Sequence, residues 1–451
     1  MTDTKFAAAV AKFMEGASFK SIELFNEGAR KVEKKNEAEA RTLYATAAER
    51  FEAFVKEFPS SEFAPAALYN SQLIYKKAVK LDLAISAANR LLNDYRKQIS
   101  EGELAAAGVE KQTLLNLASY NEQVANYQVA ADTYLAFVDK FGADDDAPNS
   151  LYNAGIFYLG LGDTKSAVKS FARYIKDFEK RKDVKDIPAV YLQMAAVYED
   201  EADWKRAAAL YGEFEKLHGR TATPTQIMTA RYKNAIALER AGRVNEMREA
   251  CQGLLAGWSK LKAEQRQEAI TQQAGGYCAF QVLEPEWQTY KDVKIVTRGG
   301  GNAKQVMGQV KQALDQKLKS RDEIAKKYLD VLSYGNGEWG VAGLYRASEA
   351  LLDYVDTLRN APDPPPLANN PEALDLFRAE LDNIAFPVED EAIKALDKAL
   401  AKAFELGIYS TYTMAIEEKL KLFRPSAFGQ VRELPFFPSA GGTSPTRTAQ
   451  R

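Results

Sequence analysis

The chain has 451 residues, 46% of them apolar, and a formal net charge of −2. It is too long for one ordinary domain unless it forms a solenoid or barrel, and apolar enough for a sizeable core. The balanced charge gives no global field to recruit nucleic acid. A single histidine and two cysteines exclude a disulfide scaffold, a multi-Cys zinc site and any centre needing two histidines.

Alanine, leucine, lysine, glutamate and tyrosine dominate, and no alternating β-branched runs occur, so the chain is expected to be all-α. No apolar run reaches membrane-spanning length, so direct membrane insertion is not expected. The opening run "MTDTKFAAAVAKFMEG" lacks the apolar h-region and small-residue cleavage site of a secretory signal. As it stands the chain reads as soluble and cytoplasmic. As a segment of a longer exported protein it would be periplasmic.

From about residue 20 to 260, helical hairpins recur. Reference positions Ala47, Ala84, Ala130, Ala167, Ala207 and Met247 lie 37, 46, 37, 40 and 40 residues apart. Four positions after them come Phe51, Ala88, Tyr134, Phe171, Tyr211 and Cys251. Phe54, Phe137, Phe214 and Leu254 lie seven after. Small residues twelve before, such as Ala118, Gly155 and Ala195, mark where two helices approach closely. One hairpin cannot bury such a stripe, but stacked neighbours can. The aromatic residues are expected to be core, each contributing roughly 1.5–3 kcal/mol by burial.

After Trp258 the register fades. A helix is expected up to Pro285, then a break at "VTRGGGNAKQ" with Asn302 as a cap. A long helix should run from Ala303 to Tyr334 and another from Glu338 to Asn360. "DPPPL" is a stiff break, Pro371 suits the first turn of a further helix, and a last pair is split near "LGIYS". The division expected is a repeat array over 1–262, a C-terminal helical region over 263–428, and a disordered tail over 429–451.

Reactive residue types are sparse. His218, in "EKLHGRTATP", reads as solvated or capping. Cys251 occupies an aromatic core position and reads as a small buried hydrophobe; a Cys251–Cys278 disulfide in an oxidising compartment is the alternative. "RGGGNAK" has neither P-loop nor dinucleotide spacing. Asp144–Asp146 lack the EF-hand glycine and closing glutamate, so they read as a solvated loop capping the next helix. No cofactor, metal or catalytic set is expected.

The array resembles the tetratricopeptide repeat. Leu151, Ala154, Gly155, Tyr158, Gly162, Ala167, Phe171 and Tyr174 match its eight-position pattern, with Glu179 in place of the closing proline that Pro59 supplies in an earlier unit. The periods exceed the usual 34 residues, as in the longer repeats of the outer-membrane assembly lipoprotein BamD and the Tol-Pal accessory protein. The C-terminal stretch from Trp339 to Phe428 looks like the C-terminal end of large tetratricopeptide proteins of myxobacteria and their relatives. Its landmarks are Trp339, Tyr345, Arg346, "APDPPPL", Pro387, "LGIY" and Arg424-Pro425. Several of those proteins belong to envelope machinery, including the gliding-motility complex.

The resemblance implies a right-handed superhelical solenoid whose first helices line a concave groove. It implies ligand contacts at the second, fifth, ninth and twelfth positions of each unit. These include Tyr69, Glu122, Tyr152, Glu199, Tyr232 and Glu239. The lysine and asparagine of a carboxylate clamp are absent, so the groove would suit an apolar peptide or helix with some basic residues. The resulting expectation is a non-enzymatic scaffold for protein partners within a bacterial envelope complex. A self-assembling structural protein is one alternative. Another is an enzyme or regulatory subunit with a site around Trp339–Tyr354.

Overall fold

The structure, a computed structural model, describes residues 2–295 and 303–426. The expected break at 296–302, the Asn302 cap and the tail over 429–451 lie outside them. Helices hold 82% of the described residues, and no strand occurs among them. The fold is all-α and is built from consecutive antiparallel helix pairs. The chain divides into two compact units, residues 1–210 with 216–221, and 211–215 with the residues from 222 onward.

The first unit begins with α1 (Thr2–Glu33) and α2 (Glu37–Glu57), followed by α3 (Ala64–Lys77) and α4 (Leu81–Asp94). Two five-residue helices follow, α5 (Arg96–Ser100) and α6 (Gly102–Ala106). The hairpins α7 (Val109–Gln123) with α8 (Tyr127–Phe141), and α9 (Ala147–Gly160) with α10 (Thr164–Phe178), come next. They precede α11 (Ile187–Asp200) and α12 (Trp204–His218). Helices adjacent in sequence pack on each other from α7 through α11, and α4 packs on α7 across the two short helices. The inserted α5 and α6 account for the long step between Ala84 and Ala130.

The register read from sequence holds. All six reference positions are buried, at 0% exposure for the five alanines and 2% for Met247. Phe51, Phe54, Ala88, Leu91, Tyr134, Phe137, Phe171, Tyr174, Tyr211, Phe214, Cys251 and Leu254 are buried as well. Gly155 sits where a Cβ would come 2.6 Å from the Phe171 ring, so the small residue is what lets α9 approach α10.

Five hairpins share one joint. In each, three residues link the helices: Ala78–Lys80, Val124–Asn126, Leu161–Asp163, Glu201–Asp203 and Ala241–Arg243. The middle residue is left-handed, with φ of 58° at Val79, 60° at Ala125, 77° at Gly162, 56° at Ala202 and 74° at Gly242. Its N–H donates to the carbonyl three residues back, and the next N–H donates to the carbonyl five back, as in Asp163 to Tyr158 at 2.9 Å. That pairing satisfies carbonyls a helix end otherwise leaves bare. Gly407 repeats the joint between the last two helices, with Ile408 N–H on Ala403 O at 2.8 Å.

The second unit holds α13 (Pro224–Arg240), α14 (Val244–Trp258), the short α15 (Ala263–Arg266), α16 (Ala269–Gln281) and α17 (Glu284–Asp292). After these come α18 (Ala303–Asp330), α19 (Gly337–Arg359), α20 (Pro371–Glu405) and α21 (Thr411–Phe423). The expected helix up to Pro285 is corrected. α16 ends at Gln281, and Pro285 opens α17, where its missing N–H costs nothing. The long helix from Ala303 tightens to a 3-10 turn over Val331–Tyr334 and stops at left-handed Gly335. Pro387 lies inside α20.

α19 is the pivot of this unit, packing on α16, α18, α20 and α21. Small residues make that possible. A Cβ on Gly343 would meet the Tyr328 carbonyl oxygen at 2.4 Å, so α18 and α19 touch backbone to backbone. One core cluster gathers Phe280, Trp287, Tyr290 and Tyr328. Another joins Val341, Tyr345 and Leu396 to Ile416 and Leu420.

Candidate interaction surface

The first helices of the hairpins carry two kinds of position. In α9, Leu151, Ala154, Gly155 and Tyr158 are buried against the second helices. Tyr152, Ile156 and Leu159, at the inward positions that the repeat resemblance implies, are half-buried, and Asn149 is exposed. The same split recurs. Tyr69 and Leu73 in α3, Leu115 and Ser119 in α7, and Leu192 and Ala196 in α11 are half-buried, while Leu68 and Ile74, Leu117 and Ala118, and Met194 and Ala195 on the same helices are buried. The first unit therefore leaves on its first helices a row of apolar and aromatic side chains that its own core does not fully cover.

The six site residues expected from sequence have distinct settings. Tyr69 is half-buried, and burial pushes its hydroxyl pKa up. Tyr152 lies half-buried with ring contacts to Phe171 and Tyr174 at 5.9 and 6.3 Å, so part of its surface already serves its own hairpin. Glu122 is exposed and accepts the Tyr134 hydroxyl at 3.2 Å. Burial first, then the Glu122 charge, pushes Tyr134 up to about 12. Glu199 is half-buried at the C-terminal end of α11, where its carbonyl accepts the Ala202 N–H at 2.9 Å.

Tyr232 and Glu239, in the second unit, face α16. The Gln273 amide donates to the Tyr232 hydroxyl at 3.3 Å, and the Tyr232 ring stands edge-on to Tyr277. Glu239 accepts from the Tyr277 hydroxyl at 3.0 Å and the Gln281 amide at 3.3 Å. Burial, then Glu239, raises the Tyr277 pKa strongly. The stacking contacts of α13 thus continue into α16, past the point where the sequence register fades. Sequence reasoning missed Gln273, Tyr277 and Gln281. The signal was the glycine pair in "QQAGGYC": a Cβ on Gly276 would meet Trp339 at 2.9 Å, and one on Gly275 would meet Tyr334 at 2.5 Å.

The other singled-out residues are also placed. His218 ends α12, half-buried, with its ring edge-on to Tyr191 at 4.8 Å, and burial lowers its pKa. This corrects the solvated reading. Asp146 makes no side-chain cap. The loop is instead tied down by Lys111 on Asp144 at 2.9 Å and by Arg181 on the Asp144 carbonyl at 3.0 Å. Cys251 is not a free thiol: it is bonded to Cys278, with the two Cα atoms 4.8 Å apart.

Around Trp339–Tyr354 the structure does gather polar groups. Arg346 pairs with Glu284 at 3.1 Å and Glu349 at 2.6 Å, over the Trp287 ring. The Tyr328 and Tyr345 hydroxyls donate to those same carboxylates at 3.0 and 2.8 Å. The members satisfy one another, which is what a buried polar cluster needs to hold helices together. Among the described residues no group of three or more His, Cys, Asp or Glu is placed to hold a metal ion, and no helix is long and apolar enough to cross a membrane.

No protein-family model and no curated protein matches the chain. Solved structures do. A tetratricopeptide repeat protein from Parabacteroides merdae is 14% identical, with TM-score 0.29, over 65% of this chain and 99% of that one. The C-terminal part of a TPR repeat-containing protein from Cytophaga hutchinsonii is 13% identical, with TM-score 0.30, over 79% and 98%. A structure of Naa15/Naa10 bound to HypK-THB is 13% identical, with TM-score 0.36, over 91% and 66%.

Proposed function

We propose that the chain is a non-enzymatic scaffold that holds segments of protein partners along the first-helix faces of its hairpins. One observation carries this reading. The central inward positions of α3, α7, α9 and α11, Tyr69, Leu73, Leu115, Tyr152, Ile156, Leu192 and Ala196, are apolar or aromatic, yet they stay half-buried beside fully buried residues of the same helices. Such a row gives an apolar segment contact area at little ordering cost, since tyrosine has few rotamers to lose. Glu122 and Glu199 at the ends of their helices would favour basic residues on that segment. In the second unit Tyr232 and Glu239 are engaged by α16, and a partner there would approach the edge they share with Tyr277 and Gln273. The setting proposed is a bacterial envelope complex of the gliding-motility or Tol-Pal kind, a reading that rests on the sequence resemblance of residues 339–428.

Crosslinking capture from source cells, followed by variants, tests the scaffold. Tyr152→Ala and Tyr69→Ala should each weaken capture tenfold or more at unchanged helicity, since truncating central aromatics at interfaces commonly costs about 2 kcal/mol. Glu199→Lys should weaken it more at low salt than at high salt. A captured partner that binds these variants like the parent would remove the first-helix face as the site.

Self-association is a second reading, favoured by α1. Phe6, Phe13 and Met14 are 72%, 77% and 63% exposed, and Phe6, Val10 and Phe13 follow one another at helical spacing on the side away from buried Ile22 and Ala29. Light scattering decides it: a monomer at micromolar concentration excludes assembly through that face.

A further inference from the structure

We infer that Cys251 and Cys278 form a structural bridge made in an oxidising compartment, so that this chain matures outside the cytoplasm. The inference is independent of the groove reading. These are the only two cysteines, and both are 0% exposed. They lie 27 residues apart, on α14 and α16, which pack directly on each other. Their Cα atoms are 4.8 Å apart, inside the range a disulfide spans. Just before Cys278, Gly275 packs where a Cβ would come 2.5 Å from Tyr334 and 3.0 Å from Trp258 of α14.

The surroundings are those of an inert staple rather than a redox centre. The Met247 thioether sulfur lies 4.0 Å from the Cys251 sulfur. Neither cysteine belongs to a Cys-x-x-Cys pair, and neither is open to solvent, so a small reductant or a partner thiolate has no approach in the folded state. Formation has to occur while the chain is still folding. Two thiols become one S–S bond and give up two electrons and two protons. The acceptor is the disulfide of an exported thiol-oxidising protein, which is itself reduced to a dithiol. Cytoplasmic thiol buffers oppose that exchange, whereas the bacterial periplasm drives it.

The test uses the protein as its source cells make it. Cells are quenched in acid, and the denatured protein is alkylated with iodoacetamide before and after reduction and weighed. The expected result is no alkyl group before reduction and two after. One or two alkyl groups before reduction overturn the inference. The staple is tested separately by thermal melting of the oxidised protein and of protein reduced in denaturant and refolded in dithiothreitol. Reduction should lower the midpoint by roughly 5–10 °C, the shift expected when a loop of this length loses its closure. The double variant Cys251→Ala, Cys278→Ala should melt low and ignore the reductant. An unchanged midpoint for protein shown by mass to be reduced would overturn the stapling role.

Discussion

Val79 is a β-branched residue held at φ 58°. L-residues pay roughly 1–2 kcal/mol for the left-handed region, and glycine does not. Val79→Gly should therefore stabilise the protein by about 1 kcal/mol, and Gly162→Ala should destabilise it by a similar amount. Urea denaturation of the pair checks both signs, and a destabilised Val79→Gly would mean that its side chain contributes packing that its exposure conceals. Gly155→Leu should be costlier, at about 1–3 kcal/mol or more, because the Phe171 ring already stands where a Cβ would go. His218 supplies a pH test. Burial lowers its folded pKa below the ordinary value, so the unfolded state binds the proton better. Its contribution is complete above about pH 6.5 and is lost as pH falls from there toward the folded pKa. Melting between pH 5 and 7 should show that slope, and His218→Phe should flatten it. At this scale the sequence was informative about position and silent about partners. Cys251 was legible as a core residue from its place four after Met247. Its bond to Cys278 was not, because it depends on how α16 stacks beyond the last readable repeat.

Elements were most legible where the repeat reinforced itself. Each of the six reference positions predicted a buried contact from the same offsets, and a periodic signal repeated that often outweighs local ambiguity. It failed where the chain leaves the period. α5 and α6 are too short to show helical periodicity, and Pro285 was read as a stop where it is a first-turn residue. In the second unit the determining feature is close backbone approach at glycine, which has no apolar signature to read. Gly343→Ala tests it. One methyl there must displace the Tyr328 carbonyl, so the melting midpoint should fall by several degrees, whereas the same change at Gly253, with open space around it, should not lower it.

Across the whole molecule, buried tyrosines with carboxylate partners recur: Tyr44 with Glu33, Tyr134 with Glu122, Tyr158 with Asp132, Tyr174 with Asp186, Tyr277 with Glu239 and Tyr328 with Glu284. Burial, reinforced by the adjoining carboxylates, raises these phenol pKa values above 10, and burial holds Tyr75 at about 12. A raised folded pKa means that the folded state keeps the proton longer. The stabilisation is therefore intact below pH 10 and lost as pH climbs through the folded values. Absorbance at 295 nm and circular dichroism followed together should show these phenols ionising only as the helices melt. Early ionisation without melting would contradict their burial. The same bonds explain why the interaction surface was only partly legible. Inward positions follow from the repeat offsets, but whether a side chain there is open or already engaged, as Glu239 is by Tyr277, depends on neighbours far along the chain.

The shared hairpin joint also sets where this chain can be lengthened. Inside the five hairpins the connection is always three residues, whereas between hairpins it runs from five residues at Gly142–Asp146 to the α5–α6 insertion. A joint admits no extra residue, because its two closing hydrogen bonds fix the count from the helix end to the next helix start. The passages between hairpins carry no such closure. A short epitope placed after Lys182 should leave folding intact, while the same epitope placed after Gly162 should part α9 from α10. Labels, protease sites and grafted segments therefore have their tolerated addresses at one end of each hairpin and none at the other.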